Sequence, residues 1–435
     1  MDRVFRHLEN VPIQFMALAA VLVAITVILF PKKYGVEAAL AASFAWLNLN
    51  RFTALGGIDS LAKATFWLPL LALIYFAHVR PGPKQKVPPL AWAYLGVPLL
   101  GCLCVLTAQD ALRGYVQFAT MFLVAAAAMS VYRAVDSEQT LKRFLLAMFI
   151  GLMAPLAISL AALVFFRTKS FLPGQGRFAP FGILANQLVA MLAAVVSLAA
   201  CLVVAFKSKS VQMVALGATG VSITLLIATG SRQGMVVIAI VLLPAVTWLA
   251  RRPLATIAAA VIAIGMGVWT FGFTEGAAST DRLTDFSDTS GRFEVAFQYI
   301  DVVSERPVAG LLGTRGLSVV RSEDADHITH NSYLGVLYVG GLLLAAPLFA
   351  AMVSTLFAVK RVLLQNRTIN VQPTLLWLLA SLLIAIYAHG LVNDMAYWSV
   401  SSWSFLHYFL SCFFMGLAQQ ARAVELVAWR PYTTA

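Results

Sequence analysis

Residues 326–334 read Asp326-His327-Ile328-Thr329-His330-Asn331-Ser332-Tyr333-Leu334, and they close the one long water-compatible stretch of the chain, residues 274–334. An apolar run begins directly beyond them. Ten of the 19 acidic residues lie between Glu275 and Asp326, against five arginines at 282, 292, 306, 315 and 321, so this loop is net acidic while the whole chain carries +12. Its surroundings are apolar: 60% of the 435 residues are hydrophobic, 11% are charged, and mean hydropathy is +0.84. Backbone exposed to lipid must satisfy its own hydrogen bonds, so such runs predict helices. The expected class is an all-α polytopic membrane protein.

Crossing about 30 Å of hydrocarbon takes roughly 20 residues. Twelve runs of that kind occur, near 11–30, 61–79, 89–107, 113–132, 144–166, 181–206, 211–229, 233–250, 254–273, 331–359, 372–392 and 397–419. They divide the chain into a membrane part at 1–273 with nine spans, a loop domain at 274–330, and a membrane part at 331–435 with three. The run at 36–49 is short and polar at both ends, and is expected to be an interfacial or re-entrant helix. The first run lacks a convincing cleavage site and is expected to remain as a helix.

Basic residues gather in every second connection, at 80–86, 133–143, 207–209, 251–252 and 360–367, which the positive-inside rule assigns to the cytoplasm. The acidic loop then faces outward. This distribution accounts for the positive charge without nucleic acid. Twelve spans leave Lys32-Lys33 outside, against the rule; a span at 36–49 would bring them inside. Cys102, Cys104, Cys201 and Cys412 all lie in apolar runs without metal or disulfide spacing, and read as small core residues.

Within the loop, apolar residues at 293, 296, 297 and 300 give Arg292 to Ile300 a helical stripe, with an end expected before Pro307 and an apolar face resting on the membrane part. Four arginines stand on the outer side in apolar or turn-like settings: Arg177, Arg232, Arg292 and Arg315. A guanidinium binds phosphate oxygens through paired donors, and several could hold a diphosphate. Snorkelling to headgroups, or pairing with the loop's own carboxylates, would explain any one of them equally well, but three converging together less readily. His330, expected in the first turn of a helix entering the membrane, could accept a proton from a hydroxyl, or could be a hydrogen-bonded interfacial histidine. His327 belongs to the more exposed loop. Asn186, Gln187 and His389 are intramembrane polar residues, and Asn393-Asp394 form an outer turn where Asp394 could orient a cation or cap a helix.

The order of these features resembles the O-antigen ligase family, within the superfamily that includes O-antigen polymerases and protein O-oligosaccharyltransferases of bacterial inner membranes. The motifs carrying the likeness are Gly176-Arg177, Ala185-Asn186-Gln187-Leu188, Thr229-Gly230-Ser231-Arg232, Ser290-Gly291-Arg292, the Pro307 to Gly316 turn, and His330-Asn331-Ser332-Tyr333-Leu334 with Gly340-Gly341 after it. Where the family often has Pro-Asn, this chain has Ala185-Asn186.

The resemblance implies a GT-C-like, metal-independent glycosyltransferase without cofactor in the bacterial inner membrane, its site facing the periplasm. The donor would be a glycan on undecaprenyl diphosphate and the acceptor a sugar of lipid A-core; a monomer among membrane lipids is expected. The family's histidine falls on His330 and its arginines on Arg177, Arg232 and Arg292. His330 and Arg232 are then expected in catalysis, with Arg177, Arg292, Arg315, Asn186, Asn331, His327 and Asp394 at the substrates. A polymerase or protein transferase of the same superfamily is the enzymatic alternative. A lipid or solute transporter is the other, although the internal repeats and paired helix interruptions usual in transporters are not evident.

Overall fold

The computed structural model describes residues 20–21, 25, 27–53, 55, 58–105, 111–166, 170–172, 177–249, 299–301, 303–310, 331–365, 369–391 and 401–428, without the side chains of 58–60, 104, 111–113, 232, 245–249 and 423–428. The described residues are almost wholly helical, and the one β contact among them is a bridge between Phe171 and Phe178. The helices are α1 Gly35–Leu49, α2 Ile58–Thr65, α3 Trp67–Val79, α4 Ala93–Val105, α5 Ala111–Arg133, α6 Glu138–Phe165, α7 Ala185–Ala205, α8 Lys209–Ala228, α9 Arg232–Leu249, α10 Ser332–Leu364, α11 Pro373–Gly390 and α12 Ser402–Ala428. Among the described residues, seven helical segments are long and apolar enough to cross a membrane. The chain is an α-helical membrane protein.

One end of the bundle is basic. There the end of α3, the end of α5 and the start of α6 meet: Gln85 N donates to Arg133 O at 2.9 Å and Arg80 donates to Thr140 Oγ1 at 3.4 Å. Ser137 caps α6 by accepting from Thr140 N, as a serine before a helix with Glu138 in its first turn should. Gln372 N, before α11, donates to Glu138 Oε2, which brings the loop between α10 and α11 to the same end. At the opposite end Thr53 N donates to Phe181 O and Phe178 N to Ala228 O, both at 2.9 Å. Helices α5 to α9 therefore alternate in direction.

At the centre stands α7. A helix apolar on all sides belongs inside, and Leu188 through Ala199 are buried among α6, α8, α9 and α11.

The interfacial or re-entrant helix expected at 36–49 is instead an inner member of the bundle. Glu37, in the first turn of α1, faces Arg80 at 3.3 Å and Arg143 at 3.8 Å at the basic end, while Asn48 in its last turn accepts from Ser402 Oγ at 3.2 Å at the other. Val36, Leu40, Phe44 and Leu47 are fully buried against α3 and α6. On α6, Gly151 permits that contact, since a Cβ there would lie 2.3 Å from Ala41 O. Short length and polar flanks are tolerated because protein, not lipid, surrounds α1. Its direction also puts Lys32 and Lys33 with the other basic residues.

The apolar run expected as one span at 331–359 is broken. Gly341 has φ 55° and ψ -155°. That conformation is open to glycine alone. The rings of Tyr333 and Phe349 lie 6.1 Å apart, whereas a straight helix would separate them by about 24 Å. Gly341 sits midway between them in sequence, so α10 is a helical hairpin with its apex there. The 342–364 arm alone rises about 34 Å, enough to cross the hydrocarbon.

The apex leaves backbone donors to be satisfied, and the loop supplies the acceptors. Leu342 N donates to Pro307 O at 2.8 Å and Leu343 N to Val308 O at 2.9 Å. The loop helix reaches Glu305 and ends before Pro307, as its sequence predicts. Of the expected apolar stripe only Ile300 lies within the described residues. It is 46% exposed, whereas Tyr299 beside it is buried, its ring 4.1 Å from that of Tyr338 on the short arm.

Candidate functional site

Three of the sequence motifs converge at the end opposite the basic one. Residues 170–172 and 177–179 run antiparallel, held by Leu172 N to Arg177 O at 2.8 Å and Ala179 N to Ser170 O at 2.7 Å, and pinned to α8 through Phe178 N. This pairing presents Arg177. Its Nε donates to Thr229 O at 3.2 Å, and a terminal nitrogen lies 3.5 Å from Asn186 Oδ1. Arg177, the start of α7 and the end of α8 thereby become one corner.

The Thr229-Gly230-Ser231-Arg232 motif has a structural reading residue by residue. Thr229 closes α8, and its hydroxyl donates to Leu226 O. Gly230 takes φ 60°. This is the left-handed position that ends helices. Ser231 caps α9 by accepting from Gly234 N at 3.3 Å, and Arg232 is the first residue of the helix. A Cβ on Gly234 would lie 2.7 Å from a Leu226 methyl and 2.9 Å from a Val189 methyl, so this glycine lets α9 pack onto α8 and α7. The amino ends of α7 and α9 thus flank Arg177. Amino ends of helices carry partial positive charge, and with a guanidinium between them the corner favours an anion.

Asn331 is the N-cap of α10, its Oδ1 accepting from Tyr333 N at 2.9 Å and Leu334 N at 3.1 Å. The helix therefore opens at Ser332, and position 330 precedes the cap instead of occupying the first turn. The short arm of α10 lies against the end of α11 through Tyr333 Oη, which donates to Tyr387 O at 2.7 Å. Since α11 packs on α7 and α9, Asn331 belongs to the same end as Arg177. His330, His327, Arg292, Arg315 and Asp394 lie outside the described residues, and of Arg232 only the backbone is described.

His389 is buried near the end of α11, its ring 5.6 Å from that of Trp403. A second buried histidine, His407 on α12, is one that sequence reasoning misses. Its ring sits 5.1 to 5.4 Å from those of Tyr94, Tyr387 and Tyr408. The signal is present in Ser404-Phe405-Leu406-His407-Tyr408, a histidine and neighbouring hydroxyls inside an apolar run.

A scan of the chain against models of protein families gives no match, and a search of curated proteins gives no significant match either.

Proposed function

We propose that the chain is a glycosyltransferase of the O-antigen ligase type, GT-C-like in fold, that moves a glycan from undecaprenyl diphosphate to a sugar of lipid A-core. The observation that carries the reading is the Arg177 corner. Two neighbouring motifs, at Arg177 and Asn186, meet a third some fifty residues on, at Thr229, where two helix amino ends and a guanidinium together suit a diphosphate. The corner lies opposite the basic end, which under the positive-inside rule is the outward side, and in this reading that side is the periplasmic face of a bacterial inner membrane. Counting α1 as a crossing, the expected spans number thirteen instead of twelve, with the amino terminus on the corner's side.

In this reading His330 accepts the proton of the acceptor hydroxyl as its oxygen attacks the anomeric carbon. The bond from that carbon to the diphosphate oxygen breaks, and Arg177, Arg232 and Arg292 stabilise the charge on the departing undecaprenyl diphosphate. Direct displacement inverts the anomeric configuration. Asn331, by fixing the start of α10, fixes the backbone beside His330. Asn186 holds the Arg177 fork, while Arg315, His327 and Asp394 contribute to the substrate sites.

The test is transfer by purified His330→Ala, with correct insertion verified, from undecaprenyl diphosphate glycan to lipid A-core. Loss of transfer is expected, and undiminished transfer removes His330 from the mechanism. Parallel incubations with a pilin-like protein and with donor alone read out protein transfer and polymerisation.

A further inference from the structure

The basic end carries a groove that the proposed reaction does not use. Leu71, Tyr75 and His78 follow one another at helical spacing along the outer face of α3, and Leu71 and Tyr75 are 46% and 42% exposed. Across from them Ser130 and Arg133 end α5, and Lys84 closes the floor. The cavity between them measures about 380 Å³. Its walls are apolar toward the bundle's middle and basic toward its end, the gradient of a phospholipid from chain to headgroup.

The charges here are of one sign. Lys84 Nζ donates to Ala77 O at 2.7 Å and to Arg80 O at 2.8 Å. Those two bonds fix the ammonium at the carboxyl end of α3 and leave one of its three N–H groups beyond them. Among the described residues no carboxylate forms an ion pair with Lys84 or Arg133. Glu37 is engaged by Arg80 and Arg143, and the Asp136 carboxylate accepts from Thr140 and Ser137. Burial, together with Arg80 and Arg133 nearby, lowers the Lys84 pKa, with Asp136 opposing. An added anion would relieve that repulsion. A neighbouring cavity of about 320 Å³ has the opposite character, with Asp136 and Glu138 in its wall, so charge selects the first cavity for an anion.

We propose that the groove between α3 and α5 seats the phosphate headgroup of an anionic membrane phospholipid, with Lys84 and Arg133 holding the phosphate, His78 at its rim, and Leu71 and Tyr75 along an acyl chain. Juxtamembrane lysine and arginine clusters between helices suit such headgroups.

The experiment uses the full chain with phosphatidylglycerol as probe. Photoreactive phosphatidylglycerol added to the wild-type protein is expected to label the peptides around 71–78 and 130–133. Unlabelled phosphatidylglycerol should compete, and phosphatidylcholine or inorganic phosphate should not. Lys84→Gln with Arg133→Gln should weaken phosphatidylglycerol retention roughly thirtyfold, and Lys84→Arg with Arg133→Lys should keep it. Equal labelling by a phosphatidylcholine probe, competition by inorganic phosphate, or unchanged retention in the glutamine pair overturns the proposal.

Discussion

Gly310 and Gly341 meet backbone to backbone: a Cβ on Gly310 would stand 2.7 Å from Gly341 N and 2.6 Å from Tyr338 O. Both have positive φ, 56° and 55°. The loop and the α10 hairpin are thereby locked at a point that tolerates no side chain. Gly341→Ala should lose about 1 to 3 kcal/mol of stability from backbone strain alone, and more from the collision with Val308. Thermal unfolding in detergent checks this, with Gly217→Ala, where nothing lies within 4 Å, as the innocuous comparison.

Arg177 is held by the Thr229 carbonyl and Asn186, in a geometry that needs a planar fork. Arg177→Lys should therefore behave much like Arg177→Ala, with glycan transfer down about 10- to 100-fold and the melting temperature little changed. Asn186→Ala should cost only a few-fold, since its contact is at the limit of hydrogen bonding. Asn186→Asp should be worse than alanine, because a carboxylate would occupy the guanidinium. Transfer rates of the four proteins at equal insertion decide the order.

Asn331 satisfies two amide donors at the start of α10. Asn331→Ala should destabilise the protein by about 1 kcal/mol, and Asn331→Asp or Asn331→Ser should recover most of it. If the cap also fixes the catalytic backbone, transfer should fall in the alanine variant and return in the other two.

Glu37 and Arg80 have side chains only 16% and 7% exposed, and leaving either without its partner strands a charge. The Arg143 side chain is 36% exposed and stands farther from Glu37. Glu37→Gln should cost about 3 to 5 kcal/mol, whereas Arg143→Gln should cost less than about 1 kcal/mol. Denaturation midpoints of the two variants separate these values.

Acid should weaken the basic end through Asp136. Burial pushes its carboxyl up, but hydrogen bonds from Thr140 and Ser137, with Arg80 nearby, outweigh that and hold the pKa below its ordinary value. A carboxyl depressed in the folded state contributes stability that is complete above its unfolded pKa of about 3.9 and is lost as pH falls through the folded value. Melting temperatures from pH 7 to pH 3 should therefore drop at the acid end, and Asp136→Asn should flatten that drop.

Hydropathy was enough to read the helical membrane class, and the Pro307 stop of the loop helix was plain in the sequence. The role of α1 was not, because a 15-residue run with Glu37 and Asn48 fails every criterion for contact with lipid. What rescues it is the wall of α3 and α6, which no local pattern announces. The α10 hairpin was hidden for a related reason: Gly340-Gly341 stood in view, but an apolar run looks the same whether it continues or folds back. At the corner, Arg177 and Asn186 were singled out by residue type. Their meeting through the Thr229 carbonyl is a tertiary fact, fixed by the pairing of 170–172 with 177–179.

Because α1 is only about 22 Å long and holds Glu37, it makes a poor passenger in bare bilayer. Its nearer partner, Arg80 after α3, follows about forty residues later, and the α6 wall with Arg143 only after about a hundred. Biogenesis must therefore shelter the nascent α1, at the translocation machinery or beside earlier segments, first until α3 arrives and fully only once α6 is made.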